Sequence, residues 1–139
     1  MPYPTATSVI EGVDVPRRTY ESILPGEVTS VRAARGMVLR HLAAHGDMAD
    51  DCALIVSELV TNAVLHGGTA VRVRLILAGR GVYAEIADDG EGLPAETDGD
   101  LDATGGRGLL IVGRLAGDWG VVPAPGGGKV VWFVLGEAA

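Results

Sequence analysis

Glu58 and Asn62 stand four residues apart in the run SELVTNAVLHGG, residues 57–68. On a helix that spacing places a carboxylate and an amide on one stripe, with Thr61 beside them. The run leading into them, ALIVSELVTNAVL, is apolar on nearly every side, which predicts a helix buried on most faces. A carboxylate taken out of water without a partner is costly. Two readings of the stripe follow. It is structural, serving a helix end or an arginine elsewhere, or it lines a pocket that holds a cation and an anionic ligand.

Two further clusters could do chemistry. Asp88-Asp89-Gly90-Glu91-Gly92 falls where an alternating strand ends. A carboxylate fixed there can accept a hydrogen bond from an exocyclic amine, and the glycines let backbone pass close to a flat ligand. Asp-Gly is also ordinary turn chemistry. Gly105-Gly106-Arg107-Gly108-Leu109 precedes a helical pattern, so free N–H groups and the positive helix end converge on one point, an anion site in principle. It has neither the Gly-Lys-Ser/Thr ending of a P-loop nor the spacing of a dinucleotide fingerprint.

Other residues carry less. His41 and His45 are four apart but lack the intervening glutamate and a clear third ligand of a zinc helix. Ser57 lies within a helix, a poor place for a nucleophile, and no nucleophile elbow is present. Cys52 is the only cysteine and lies in the apolar run, where it reads as a small buried hydrophobe. Tyr83, Trp119, Trp132 and Phe133 read as core and strand packing.

The elements that must position these residues follow from periodicity. Residues 1–16 are Pro-rich and aperiodic and read as a flexible N-terminal segment. Residues 17–24 suit an edge strand ended by Pro25-Gly26. Helical spacing spans residues 27–45, with Arg32, Arg35 and Arg40 on its outer face. Gly46 stops that helix, and Asp47 can cap a second one that runs to His66 and leaves through Gly67-Gly68. The period then becomes two: residues 71–77 and 82–87 form a hairpin around Ala78-Gly79-Arg80-Gly81. An acidic loop follows, then a helix at residues 109–115. Strands at 119–122 and 129–135 are joined by Pro123-Ala124-Pro125-Gly126-Gly127-Gly128. The order predicts a single α+β domain over residues 17–139, a mostly antiparallel mixed sheet covered on one face by helices.

At 139 residues the chain can bury a core without staples. Its net charge of −7 argues against nucleic acid as a direct partner. No basic start, signal core or membrane span opens the sequence, so a cytoplasmic protein without membrane contact is expected. The basic residues are ten arginines and the single Lys129, and five of the arginines fall in residues 17–40. Residues 85–102 hold eight acidic residues and no basic one, so a phosphate site beside them would need a divalent cation.

Each motif is common, but their order is specific. Glu-x-x-x-Asn on a helix ending in His-Gly, then D-x-G-x-G at a strand end, then Gly-Arg-Gly-Leu at a helix start, resembles the Bergerat-fold (GHKL) ATPases from about Glu27 to Leu135. The resemblance implies a Bergerat-type ATP-binding sandwich with ATP and Mg²⁺ as cofactors. It gives Asn62 the role of Mg²⁺ ligand and Glu58 that of the group that positions or deprotonates the attacking atom. Asp88 would accept from the adenine amino group, with Gly90 and Gly92 shaping the base pocket. Gly106 and Gly108 would let backbone N–H groups cradle the phosphates, beneath an acidic lid at residues 93–104; Thr104, Arg107 and Leu109 would also bind the nucleotide, with Arg107 either neutralising phosphate charge or facing solvent.

Within that superfamily the sequence is similar to the free-standing bacterial anti-sigma-factor serine/threonine kinases, in which SELVTNAV-x-HG and GRGL are typical phrasing. A phosphoacceptor hairpin ahead of Glu27 and a read-out domain after the last strand, the marks of other branches, are not expected. The resemblance implies an ATP- and Mg²⁺-dependent kinase that sequesters a sigma factor and phosphorylates a small anti-anti-sigma (STAS-type) protein, regulating transcription by partner switching. The alternative is a non-catalytic ATP-binding module that sequesters a protein partner. Relatives often work as homodimers. The phosphate loop GGRGL is shorter than the kinases' G-x-G-L-G-L, a departure that bears on phosphoryl transfer more than on ATP binding. The arginine face of the first helix is either a docking surface for an acidic partner or a solvated face.

Overall fold

The computed structural model describes residues 17–66, 70–89, 104–124 and 127–136. In chain order these form β1 (Arg17–Leu24), α1 (Thr29–His41), a 3₁₀ turn (Ala43–His45), α2 (Asp47–His66), β2 (Val71–Ala78), β3 (Gly81–Asp88), α3 (Thr104–Leu115), β4 (Asp118–Pro123) and β5 (Lys129–Leu135). The N-terminal segment 1–16, Gly67-Gly68, Gly90, Gly92 and the acidic lid up to residue 103 lie outside the described residues.

The strands form one sheet in the order β1-β2-β3-β5-β4. Every described pairing is antiparallel, so the parallel component expected of a mixed sheet is not seen among the described residues. Gly79 and Arg80 close the β2–β3 hairpin with Ala78 opposite Gly81, and Gly79 supplies the positive φ of 58° that a two-residue turn needs. β1 is an edge strand, as its charged, alternating sequence predicts.

Alternation decides which side chains meet the helices. Val71, Val73 and Leu75 of β2, Val82, Ala84 and Ile86 of β3, and Val131, Phe133 and Leu135 of β5 share one buried core with the helices. Against them α2 presents Cys52, Ile55, Val56, Leu59, Val60 and Ala63, spaced three and four apart. The helix is less enclosed than its composition predicts, because Leu54 and Leu65 on the outer stripe are 46% and 53% exposed. One wide stripe faces the sheet and the other side faces outward. Gly46, at φ 55°, turns the chain between the 3₁₀ segment and α2.

The far face of the sheet carries a smaller cluster of Ile76, Ala78, Tyr83 and Trp132. The rings of Tyr83 and Trp132 stack, with centroids 6.0 Å apart and planes within 4°. The indole lies across β4 at Gly120, where a Cβ would come within 2.7 Å of Trp132 Nε1.

Candidate functional site

α2 ends at His66 and β2 begins at Val71, directly opposite Asp88. The last turns of α2, the end of β3 and the start of β5 therefore meet at one end of the sheet. Asn62 sits one turn before the end of α2 and is 5% exposed. Neither its Oδ1 nor its Nδ2 has a hydrogen-bond partner among the described residues. A buried amide with both ends unmet is unusual in a folded protein and points to a ligand atom. Glu58, one turn earlier on the same stripe, is half-buried rather than withdrawn from water, so the burial cost suggested by its apolar neighbours is reduced. The nearby hydroxyls are engaged with the helix itself. Ser57 Oγ donates to the Ala53 carbonyl and Thr61 Oγ1 to the Ser57 carbonyl, each at 2.7 Å. Neither is held ready as a nucleophile.

Asp88 continues the inward series Val82, Ala84, Ile86, so its carboxylate turns to the helix side of the sheet, 5% exposed. It accepts a hydrogen bond from Lys129 Nζ at 3.1 Å. The two residues are register partners across β3 and β5, which explains how both reach the same buried spot. The backbones are pressed together just before Lys129. Gly128 has φ 81°, and a Cβ there would meet the Asp88 carbonyl oxygen at 2.0 Å and the Asp89 Cα at 2.7 Å. Only glycine fits at that position. Lys129 is the residue that motif reasoning missed. The sequence sets it apart only as the single lysine among ten arginines, placed directly after a glycine run, and that does not reveal its partner.

The third component is α3. It begins at Thr104, five residues earlier than its apolar periodicity predicts, so the glycine-rich stretch is part of the helix rather than a loop ahead of it. Thr104, Gly105, Gly106 and Arg107 form the first turn, whose backbone N–H groups have no acceptor within the helix. Gly108 and Leu109 lie one turn further in. That geometry suits an anionic group, and the helix is packed beside α2.

Other candidates are placed elsewhere. His41 stacks on Tyr20, with ring centroids 3.8 Å apart, and no metal-binding cluster of three side chains exists among the described residues. Cys52 is fully buried and its thiol is pushed up to about 12 by burial first and the nearby Asp51 second. Glu85, counted with the acidic stretch, belongs to the far face. It accepts from Tyr83 Oη at 2.9 Å and faces Arg72 and Arg74 at 3.6 Å each. Burial and Glu85 together push the Tyr83 phenol well up. A cavity of about 450 Å³ opens at the same end of the sheet, lined by Asp88 and Asp89 together with Ile23, Arg72, Ala87 and Val130.

The fold is that of a Bergerat-type ATP-binding domain. Residues 23–135 match the family described as "Histidine kinase-like ATPase domain", and the chain belongs to that family. Among solved structures it is similar to the histidine kinase domain from the Erythrobacter litoralis EL346 blue-light activated histidine kinase. That match has a TM-score of 0.51 and 22% identity over 80% of this chain, and spans 60% of the other. The Acinetobacter baumannii histidine kinase AdeS also matches, at TM-score 0.46 and 14% identity, over 94% of this chain and 73% of that one. No curated protein matches the chain. Among the described residues no helix is long and apolar enough to cross a membrane.

Proposed function

We propose that this domain is an ATP- and Mg²⁺-dependent protein serine/threonine kinase of the anti-sigma-factor kind, which binds a sigma factor and phosphorylates a small STAS-type protein. The observation that carries the reading is the buried amide of Asn62, without a partner among the described residues, one helical turn from Glu58. An amide oxygen is a hard donor of the kind Mg²⁺ takes, so the residue fits the ion. When bound, Mg²⁺ supplies neutralisation of the phosphate charge.

The chain's own groups supply the rest. Asp88 accepts from the exocyclic amine of adenine, and the first-turn N–H groups of α3 hold phosphate oxygens. Glu58 takes the proton of a serine or threonine hydroxyl as its oxygen bonds to the γ-phosphorus and the bond to ADP breaks. Holding both reactants on one stripe converts an encounter into an oriented step.

The test mixes the protein with Mg²⁺, γ-labelled ATP and STAS-type proteins of the same genome, with Glu58→Ala and Asn62→Ala alongside. Label moving to serine or threonine is expected. Glu58→Ala should cut transfer at least ~100-fold with ATP affinity within about threefold, whereas Asn62→Ala should lose both. No transfer to any partner, with ATP binding intact, assigns the chain instead to nucleotide-gated partner binding.

A further inference from the structure

We infer that the β2–β3 hairpin end of the sheet carries a second ligand pocket, in which Arg18, His41 and His45 hold the oxyanion of a small phosphate monoester. The pocket lies at the opposite end of β2 from Asp88, and the inference does not depend on the nucleotide-binding reading above.

Its position follows from strand register. Leu77 of β2 pairs with Arg18 of β1, and Leu75 with Tyr20. Alternation turns these side chains toward the helices, in series with Val71 and Val73. Val71 stands opposite Asp88, and six residues of extended strand put Leu77 ~20 Å from it. The helical layer reaches this end where α1 finishes at His41 and the 3₁₀ turn finishes at His45, just before α2. Between these elements opens a cavity of about 320 Å³. Small-molecule sites begin at roughly 300 Å³, so one small ligand fits.

Four observations say what it would hold. Arg18, His41 and His45 line it from three separate elements, β1, α1 and the 3₁₀ turn. None of its described lining residues is acidic, although the chain carries a net charge of −7. The two imidazoles are held in place by different means. The His41 ring stacks on Tyr20 at 3.8 Å with planes 18° apart, and Tyr20 packs on the core. The His45 backbone N–H donates to the Leu42 carbonyl at 2.9 Å, and Leu42 is fully buried. Finally, Nδ1 of His45 is buried and has no hydrogen-bond partner among the described residues. Such an atom is uncommon in a folded protein, and a bound ligand atom would relieve its cost.

The chemistry follows from the donor inventory. A guanidinium only donates, and each imidazole offers at least one ring N–H. Charge-assisted donors of this kind suit phosphate oxygens. Donors arriving from three directions match a tetrahedral oxyanion with three free oxygens better than a planar carboxylate with two. Leu77 and Ala44 add apolar wall, which favours a small apolar group on the fourth oxygen. A metal cation is the poorer occupant, because Arg18 opposes its charge. A hollow that merely holds water, with Arg18 solvated and the Tyr20–His41 pair serving only packing, would bind no anion selectively.

The experiment titrates the full chain with phenyl phosphate, inorganic phosphate and benzoate, and follows backbone amide shifts by NMR. Phenyl phosphate should move the amides of Ala44 and Gly79 with a Kd of about 1 mM or tighter. Inorganic phosphate should act at the same amides at least ~3-fold more weakly, and benzoate at least ~10-fold more weakly. Arg18 is exposed, so Arg18→Ser keeps the fold, and it should weaken phenyl phosphate at least ~10-fold. His45→Gln is the second variant and should weaken it ~3-fold or more. Shifts confined to residues 104–108 would place the anion at the start of α3 and overturn the inference. So would unmoved Ala44 and Gly79 amides at about 10 mM phenyl phosphate, or a folded Arg18→Ser or His45→Gln protein that binds it as wild type does. Benzoate bound as tightly as phenyl phosphate would overturn the assignment to phosphate.

Discussion

At the scale of single residues, environment rather than type decides the chemistry. Asn62 and Cys52 are both buried on α2, yet the first has two polar atoms without a partner among the described residues and the second has none that matter. Cys52 is inert in the fold because burial keeps its thiol neutral well above the ordinary value of 9.0. Tyr83 is shifted the same way, from 10.0. The sign of the consequence is fixed. Both groups stay neutral in the fold while the unfolded chain ionises, so the unfolded state gains as pH rises. Stability contributed by Cys52 is complete below pH 9 and is lost toward pH 12, at a rate approaching ~1.4 kcal/mol per pH unit. Urea unfolding between pH 7.5 and 10.5 should show this loss, shallower in Cys52→Ala than in wild type. Equal slopes would show that Cys52 ionises as readily in the fold as out of it.

At the scale of elements, much was legible in the sequence and the misses have causes. The β2–β3 hairpin, α2 and β5 follow directly from alternation, from apolar spacing and from the Gly79 turn, because in each the local pattern agrees with the burial it produces. The start of α3 did not follow. Glycines read as loop, but here the helix runs across them from Thr104. The Glu58–Asn62 stripe and Asp88 were legible as candidates because spacing and strand ends are sequence properties. Lys129 was not, because its partnership with Asp88 depends on the register of β5 against β3, which no local pattern encodes. The turn before β5 gives the element-scale prediction. Gly128→Ala places a Cβ against the Asp88 carbonyl at a positive φ, and should cost about 2 kcal/mol or more by chemical denaturation. It should also weaken ATP binding, since Asp88 moves with its backbone. An alanine variant of wild-type stability would show that the hairpin relaxes freely.

At the scale of the whole molecule, charge is divided. The chain carries −7 overall, yet Arg32, Arg35 and Arg40 stand exposed on α1. We propose that this face docks the acidic side of a protein partner. Arg32→Glu with Arg35→Glu should slow association at least ~10-fold at low salt and remove much of its salt dependence. Association unchanged at both salt concentrations would make it a solvated face only. The topology has a further implication. β1 pairs with β2 along its whole length, Arg17 opposite Ala78 and Leu24 opposite Val71, although the entire α1–α2 layer lies between them in the chain. On the ribosome, then, β1 emerges long before its only described neighbour exists. It must wait as an unpaired strand while α1 and α2 are made. Its outward charges, Arg17, Arg18 and Glu21, are well suited to keep it soluble through that interval.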